Sequence, residues 1–147
     1  MLGYINSELS NYYFTKLFNI DLHFYPGTFQ KMIIPKVSCY QMPTLVNYIL
    51  FLKQLPKERM SFYFEQIIDG MVYELYFENE IKQAGCDILK YLNDLPEIKD
   101  DMKDDEKINI ITKVFNKLFD KESPVRKNLF FMDSVEEIAI IKRSLEK

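Results

Sequence analysis

The chain has 147 residues, 48% of them hydrophobic and 28% charged, with a formal net charge of −3. That is enough apolar material for one domain with its own core, too little length for two full domains, and too apolar for an intrinsically disordered chain. The charge is spread unevenly, six Lys/Arg against four Asp/Glu in residues 1–66 and 13 against 18 in the remainder, which falls short of the basic footprint of a self-sufficient DNA-binding domain.

Taken in chain order, Leu2, Ile5, Leu9, Tyr12, Tyr13 and Leu17 recur at spacings of three and four and predict an amphipathic first helix. From Asn19 to Val37 the pattern changes. Pro26-Gly27 is a turn signal, Pro35 disfavours helix at Ile34, and Met32-Ile33-Ile34 is long enough only for a short extended piece. Beyond Pro43, the residues Leu45, Val46, Ile49, Leu50 and Leu52 predict a second helix that ends at Leu55-Pro56. Lys57 to Phe77 has the strongest helical periodicity, through Met60, Phe64, Ile67, Ile68, Met71, Val72, Leu75 and Tyr76. Gly70 interrupts it, and the cost of a glycine there suggests close approach of another helix.

Glu78 to Leu92 predicts a further helix with Gly85 as the point where it breaks. Asp94 to Glu106, rich in acids and lysines around Pro96, predicts a solvated linker. Asp105 to Phe119 and Ser134 to Leu145 are helical by spacing; Ser123-Pro124 fits an N-cap with Pro at the first helical position, and Ser134-Val135-Glu136-Glu137 a capping box. The expected fold is mainly α, a bundle of about five to six helices with a short extended or β segment near residues 20–37. Its expected organisation is a helical domain over 1–93, a charged linker over 94–106 and C-terminal helices over 107–147 that pack on the same domain.

The longest apolar stretches, Leu45–Leu52 and Ile67–Phe77, are broken by Asn47, Asp69 and Glu74, so no membrane span is expected. The run from Met1 to Glu8 lacks the basic start and small-residue cleavage site of a secretory signal, and the chain reads as cytoplasmic. Cys39 and Cys86 lie far apart, without His or Cys at metal-ligand spacing, and read as two buried thiols.

Residues for chemistry are sparse. The four glycines stand alone at 3, 27, 70 and 85, so neither a Walker loop nor a dinucleotide fingerprint can be assembled, and no cofactor is expected in this chain. His23, the single histidine, has no nucleophile elbow to serve and no metal-ligand partners. Asp100, Asp101, Asp104, Asp105 and Glu106 lack the alternation and turn glycine of an EF-hand loop and are interleaved with Lys99, Lys103 and Lys107. Asp69 and Glu74 are both on the long apolar helix. Five residues apart, they project about 140° from one another, which argues against a shared acid–base role. Asp69 is expected to meet a Lys or Arg or to lie in an exposed stripe.

Three segments then carry a resemblance. Tyr4-Ile5-Asn6-Ser7-Glu8-Leu9-Ser10-Asn11-Tyr12-Tyr13-Phe14 resembles the "LNSKLxxFYF" helix of the TaqI-like C-terminal specificity domain of type II restriction-modification adenine methylases. Tyr25-Pro26 and the run Phe29 to Val37 resemble the extended stretch of that family that ends in an "LPIPK"-type segment. Ile67-Ile68-Asp69-Gly70-Met71-Val72-Tyr73-Glu74-Leu75-Tyr76 is similar to its closing "IDxxVYELY" helix. The tail from Glu78 to Lys147 resembles the C-terminal extension of some large members.

Members of the family are S-adenosylmethionine-dependent DNA N6-adenine methyltransferases, often fused to a nuclease, whose C-terminal region reads the target sequence. This chain departs from them in having neither the Gly-rich cofactor loop nor the Asn-Pro-Pro-Tyr/Phe motif. The resemblance therefore implies a non-catalytic terminal fragment, separately encoded subunit or excised piece, whose partner is the catalytic methyltransferase part. The candidate DNA-facing residues are Lys16, His23, Tyr25, Lys31 and Lys36, in or beside the irregular, mildly basic segment. The alternative is a helical protein–protein interaction module or homo-oligomer with no DNA contact of its own.

Overall fold

The structure is a computed structural model that describes Ser7, Glu8, Tyr12 and residues 41–146. Among these residues the chain is mainly helical and contains no strand. Six α-helices follow in order: α1 (Gln41–Leu52), α2 (Glu58–Tyr76), α3 (Glu78–Ala84), α4 (Asp104–Phe119), α5 (Pro124–Met132) and α6 (Glu136–Leu145), with a 3-10 turn at Leu89–Tyr91. Glu8 and Tyr12, from the expected first helix, are helical. The expected extended segment near 20–37 lies outside the described residues.

Helix α1 starts two residues before Pro43, which sits in its first turn, where a missing N–H costs no intrahelical bond. It packs along α2, the central helix, whose inward side buries Phe64, Ile67, Met71 and Tyr73 almost completely. α5 crosses α2 at Gly70. A Cβ there would lie 2.5 Å from Leu129 Cδ2 and 3.0 Å from Ile88 Cδ1, so the glycine exists to let these side chains in.

The aromatic composition is spent where α1, α2 and α4 meet. Tyr63 stands edge-on to Phe115 (5.7 Å between ring centroids) and Phe119 (5.0 Å), and Phe64 stands edge-on to Tyr48 (5.6 Å). Such pairs add to the area they bury. The Tyr63 hydroxyl donates to the Leu118 carbonyl at 2.7 Å. That carbonyl belongs to the last turn of α4, which has no intrahelical donor of its own.

The helix expected over Glu78 to Leu92 breaks at Gly85: α3 stops at Ala84, and only the 3-10 turn at Leu89–Tyr91 follows in place of a second helical half. Gly85 adopts a left-handed conformation (φ 70°), its N–H donates to the Lys82 carbonyl, and the Cys86 N–H reaches back to the Ile81 carbonyl, a Schellman arrangement. After it the chain threads between α2 and α5: Ile88 is fully buried, and the Asn128 amide donates to the Asp87 carbonyl at 2.7 Å.

Two local expectations need refinement. The 94–106 stretch is mostly exposed, as expected of a solvated linker, but it is anchored to the bundle. Leu95 and Ile98 pack against the core, the Pro96 carbonyl accepts from the Tyr48 hydroxyl, and Asp104, Asp105 and Glu106 form the first turn of α4. Their charge suits the positive end of the helix dipole, and the helix begins one residue before the Asp105 expected. The capping box at Ser134 fails, because the N-terminal cap position of α6 is Val135 and the Ser134 hydroxyl donates instead to the Phe131 carbonyl at 2.6 Å. Only three residues separate α5 from α6, and the serine hydroxyl joins its own N–H on the Phe131 carbonyl at the end of α5. Ser123 does occupy the N-cap of α5 with Pro124 following, without a side-chain capping bond.

Candidate functional site

A cleft of about 470 Å³ lies between α2, α5, α6 and Glu8. Helical periodicity builds its floor. Asp69 and Tyr73 are one turn apart on α2 and project to the same side. The Glu8 N–H donates to Asp69 Oδ1 at 2.8 Å, and the Tyr73 hydroxyl donates to Glu8 Oε2 at 2.7 Å. Lys142 of α6 and Asp133, just beyond α5, line the wall and pair with each other at 2.6 Å. Phe62 and Phe130 also line the cleft and are 61% and 76% exposed.

This environment disturbs the acid–base groups. Burial pushes the Asp69 carboxyl up from its ordinary 3.8 to about 7; the Glu8 N–H opposes that rise, the negative charges of Glu8 and Glu65 add to it, and Lys142 opposes it. Burial, and then the hydrogen bond to Glu8, raise Tyr73 far above the usual phenol range, so it remains a neutral donor. The cleft can therefore hold or release a proton near neutrality. Among the described residues no Ser, Thr or Cys lines it, and Cys86, the thiol among the described residues, is buried elsewhere, donates to the Ile81 carbonyl, and is raised by burial. No group of three or more His, Cys, Asp or Glu among the described residues is arranged to hold a metal ion.

Glu74 is the second carboxylate of α2 and faces another way, as its spacing from Asp69 requires. It is 5% exposed and accepts the Ile88 N–H at 2.7 Å and the Leu89 N–H at 2.9 Å, fixing the chain that follows α3. Its role is structural.

Cationic side chains around the cleft are engaged with the bundle itself. Arg59 and Arg126 lie over the Phe119 ring at 4.8 and 4.3 Å, and Arg126 Nη1 donates to the Phe119 carbonyl at 2.7 Å. Exposed aromatics continue beyond the cleft. Phe131 is 54% exposed and its ring is 5.9 Å from that of Phe130.

All five sequence-derived DNA-facing candidates, Lys16, His23, Tyr25, Lys31 and Lys36, lie outside the described residues, as does Cys39. What the structure brings together is Glu8, Asp69 and Tyr73, which sequence reasoning did not single out as a site. The available signal was Asp69 itself, an acid within an otherwise apolar helix. Its direct partner is a backbone N–H rather than the Lys or Arg expected, and Lys142 acts on it through charge without an ion pair. No helix among the described residues is long and apolar enough to cross a membrane. Comparison with protein-family models, curated proteins and solved structures gives no match.

Proposed function

We propose that the chain is a non-catalytic, C-terminal or specificity-associated portion of a type II restriction-modification DNA adenine methyltransferase, which supports target recognition or assembly of the enzyme in the cytoplasm. The observation that supports this reading is that two of the three segments carrying the family resemblance touch. Glu8, of the Tyr4–Phe14 segment, meets Asp69 and Tyr73, of the Ile67–Tyr76 segment, through two hydrogen bonds. The residues that make the resemblance recognisable are thus a joint between an N-terminal segment and a helical bundle. In this role the chain brings no catalytic group or cofactor of its own. Its partner is the catalytic methyltransferase part, docked through the exposed aromatics Phe62, Phe130 and Phe131, with DNA contacts drawn from the 16–36 segment.

The test is complementation. An adenine-methyltransferase core that lacks this C-terminal region, encoded in the same reading frame or beside it, is expected to bind the chain and to gain site-specific adenine methylation from it. The double substitution Phe130→Ser and Phe131→Ser is expected to remove that gain. A core whose methylation is unchanged by the chain would count against the reading.

The alternative, a protein-interaction module or homo-oligomer without DNA contact, is favoured by the same exposed Phe130–Phe131 pair, since adjacent exposed aromatics commonly mark an interface. Sedimentation over a range of concentrations, beside an anisotropy titration with duplex DNA at low salt, separates the two. Self-association without DNA binding selects the alternative.

A further inference from the structure

Phe62, Gln66, Asp69 and Tyr73 of α2 all line the cleft, and their spacing of four, three and four makes them one stripe along the helix. The stripe is apolar at one end and acidic further along. Phe62, with Phe130 of α5, presents rings that are 61% and 76% exposed, and Asp69, about 10 Å along the axis from Phe62, meets Glu8.

Charge in the cleft is out of balance. Its lining carboxyl groups are Glu8, Glu65, Asp69 and Asp133, and its lining cations are Arg126 and Lys142. Lys142 pairs with Asp133 at 2.6 Å, Arg126 is held by the Phe119 carbonyl and ring, and Glu65 has Lys53 at 2.9 Å. Among the described residues no ion pair reaches Glu8 or Asp69. One oxygen of each is taken, Asp69 Oδ1 by the Glu8 N–H and Glu8 Oε2 by the Tyr73 hydroxyl. Among the described residues Asp69 Oδ2 and Glu8 Oε1 accept no hydrogen bond, and neither is sealed from solvent.

We propose that the cleft seats an arginine side chain carried by a partner protein, with its guanidinium on the Asp69 and Glu8 carboxyls and its stem along Phe62 and Phe130. This deepens the reading above and rests on it for a partner docked at these rings, whether or not that partner is a methyltransferase. A long cationic side chain covers apolar surface with its stem and keeps its charged head among polar groups, the order in which the cleft presents them. Arginine suits it better than lysine, because the planar fork offers parallel N–H groups to carboxylate oxygens and stacks on rings. The bundle already holds guanidinium groups this way, with Arg59 and Arg126 over the Phe119 ring at 4.8 and 4.3 Å. An acidic side chain would meet like charge, and an aliphatic one would cover two carboxyl groups without supplying a partner.

The experiment titrates the whole chain with the peptide acetyl-Leu-Arg-Leu-amide at about pH 8, above the Asp69 titration, and follows amide NMR shifts. Peptides with citrulline or glutamate in place of the arginine are the controls. Shifts are expected at Gln66, Asp69, Tyr73 and Phe130, saturating in the millimolar range, with the citrulline peptide weaker by about 10-fold. Asp69→Asn should weaken the arginine peptide by about 10-fold and Phe130→Ser by about 3-fold. Where Asp69→Asn fails to fold by circular dichroism, Glu8→Gln replaces it, with a loss of several-fold expected. No shifts in the cleft, equal binding of either control peptide, or an affinity unchanged in the folded carboxyl variant overturns the proposal. Cleft shifts that grow with chain concentration in the absence of peptide mean that a second copy sits there, and overturn it too. Peptide binding beside failed complementation would sink the methyltransferase reading alone, and complementation without peptide binding the arginine seat alone.

Discussion

Asp69 and Glu74 lie five residues apart on α2, both are carboxylates raised by burial, and they have opposite fates. Glu74 takes two N–H groups from the chain that immediately follows α3, so its surroundings form with the bundle itself. Asp69 takes one N–H, from a turn more than sixty residues away, and faces a second carboxylate. A buried acid satisfied by nearby backbone is a fastener. One that takes a single donor across a long chain separation, and is held at about 7 by burial, is left responsive to pH. Which of the two an acid becomes depends on who arrives to donate to it.

The largest expected effect breaks the fastener. Glu74→Ala strands the Ile88 and Leu89 N–H groups and should cost about 2–4 kcal/mol of unfolding free energy in a urea titration, with Glu74→Gln costing less. Gly70→Ala, beside Asp69 on the same helix, should be next. Helix propensity favours alanine by about 1 kcal/mol, yet the added Cβ would sit 2.5 Å from Leu129 Cδ2. The net result should be a loss of up to about 1–2 kcal/mol, because the Leu129, Ile88 and Met132 side chains must repack around the new Cβ.

Asp69→Asn sharpens the contrast in the opposite direction. The native carboxyl is raised above its unfolded value, so its stabilising contribution is complete below about 3.8 and is lost as pH rises through about 7. The asparagine variant should therefore match the native chain near pH 5 and exceed it near pH 8, by about 1 kcal/mol after solvent screening in the part-exposed cleft. Thermal melts at the two pH values check this. Tyr63→Phe, away from both acids, should cost about 1 kcal/mol by freeing the Leu118 carbonyl. Phe130→Ser should change stability least, within about 0.5 kcal/mol, since the ring is 76% exposed; any larger effect would mean that it covers core.

The long helix over 57–77 was legible because its apolar spacing continues for five turns, and its Glu58–Tyr76 bounds differ from the periodic reading by one residue at each end. The break at Gly85 was legible because a left-handed cap favours glycine. The start of α4 was legible to within one residue, since the spacing of Ile108, Ile111, Val114 and Phe115 places it at Asp105 and the helix begins at Asp104. The Ser134 box misled because α6 begins one residue later, with Val135 at the cap position, and the Ser134 hydroxyl turns back to the Phe131 carbonyl.

The cleft shows where local rules stop. Sequence periodicity alone determined that Asp69 and Glu74 point apart and that Asp69 and Tyr73 share a face, since both follow from 3.6 residues per turn. It also determined that Gly70 is an interruption needing a reason. Only the tertiary structure decided that the reason is Leu129 and Ile88, that Glu74 receives two backbone donors, and that Asp69 receives Glu8. Those outcomes are distances between segments far apart in the chain, and a helical repeat holds no record of which segment comes to rest against it.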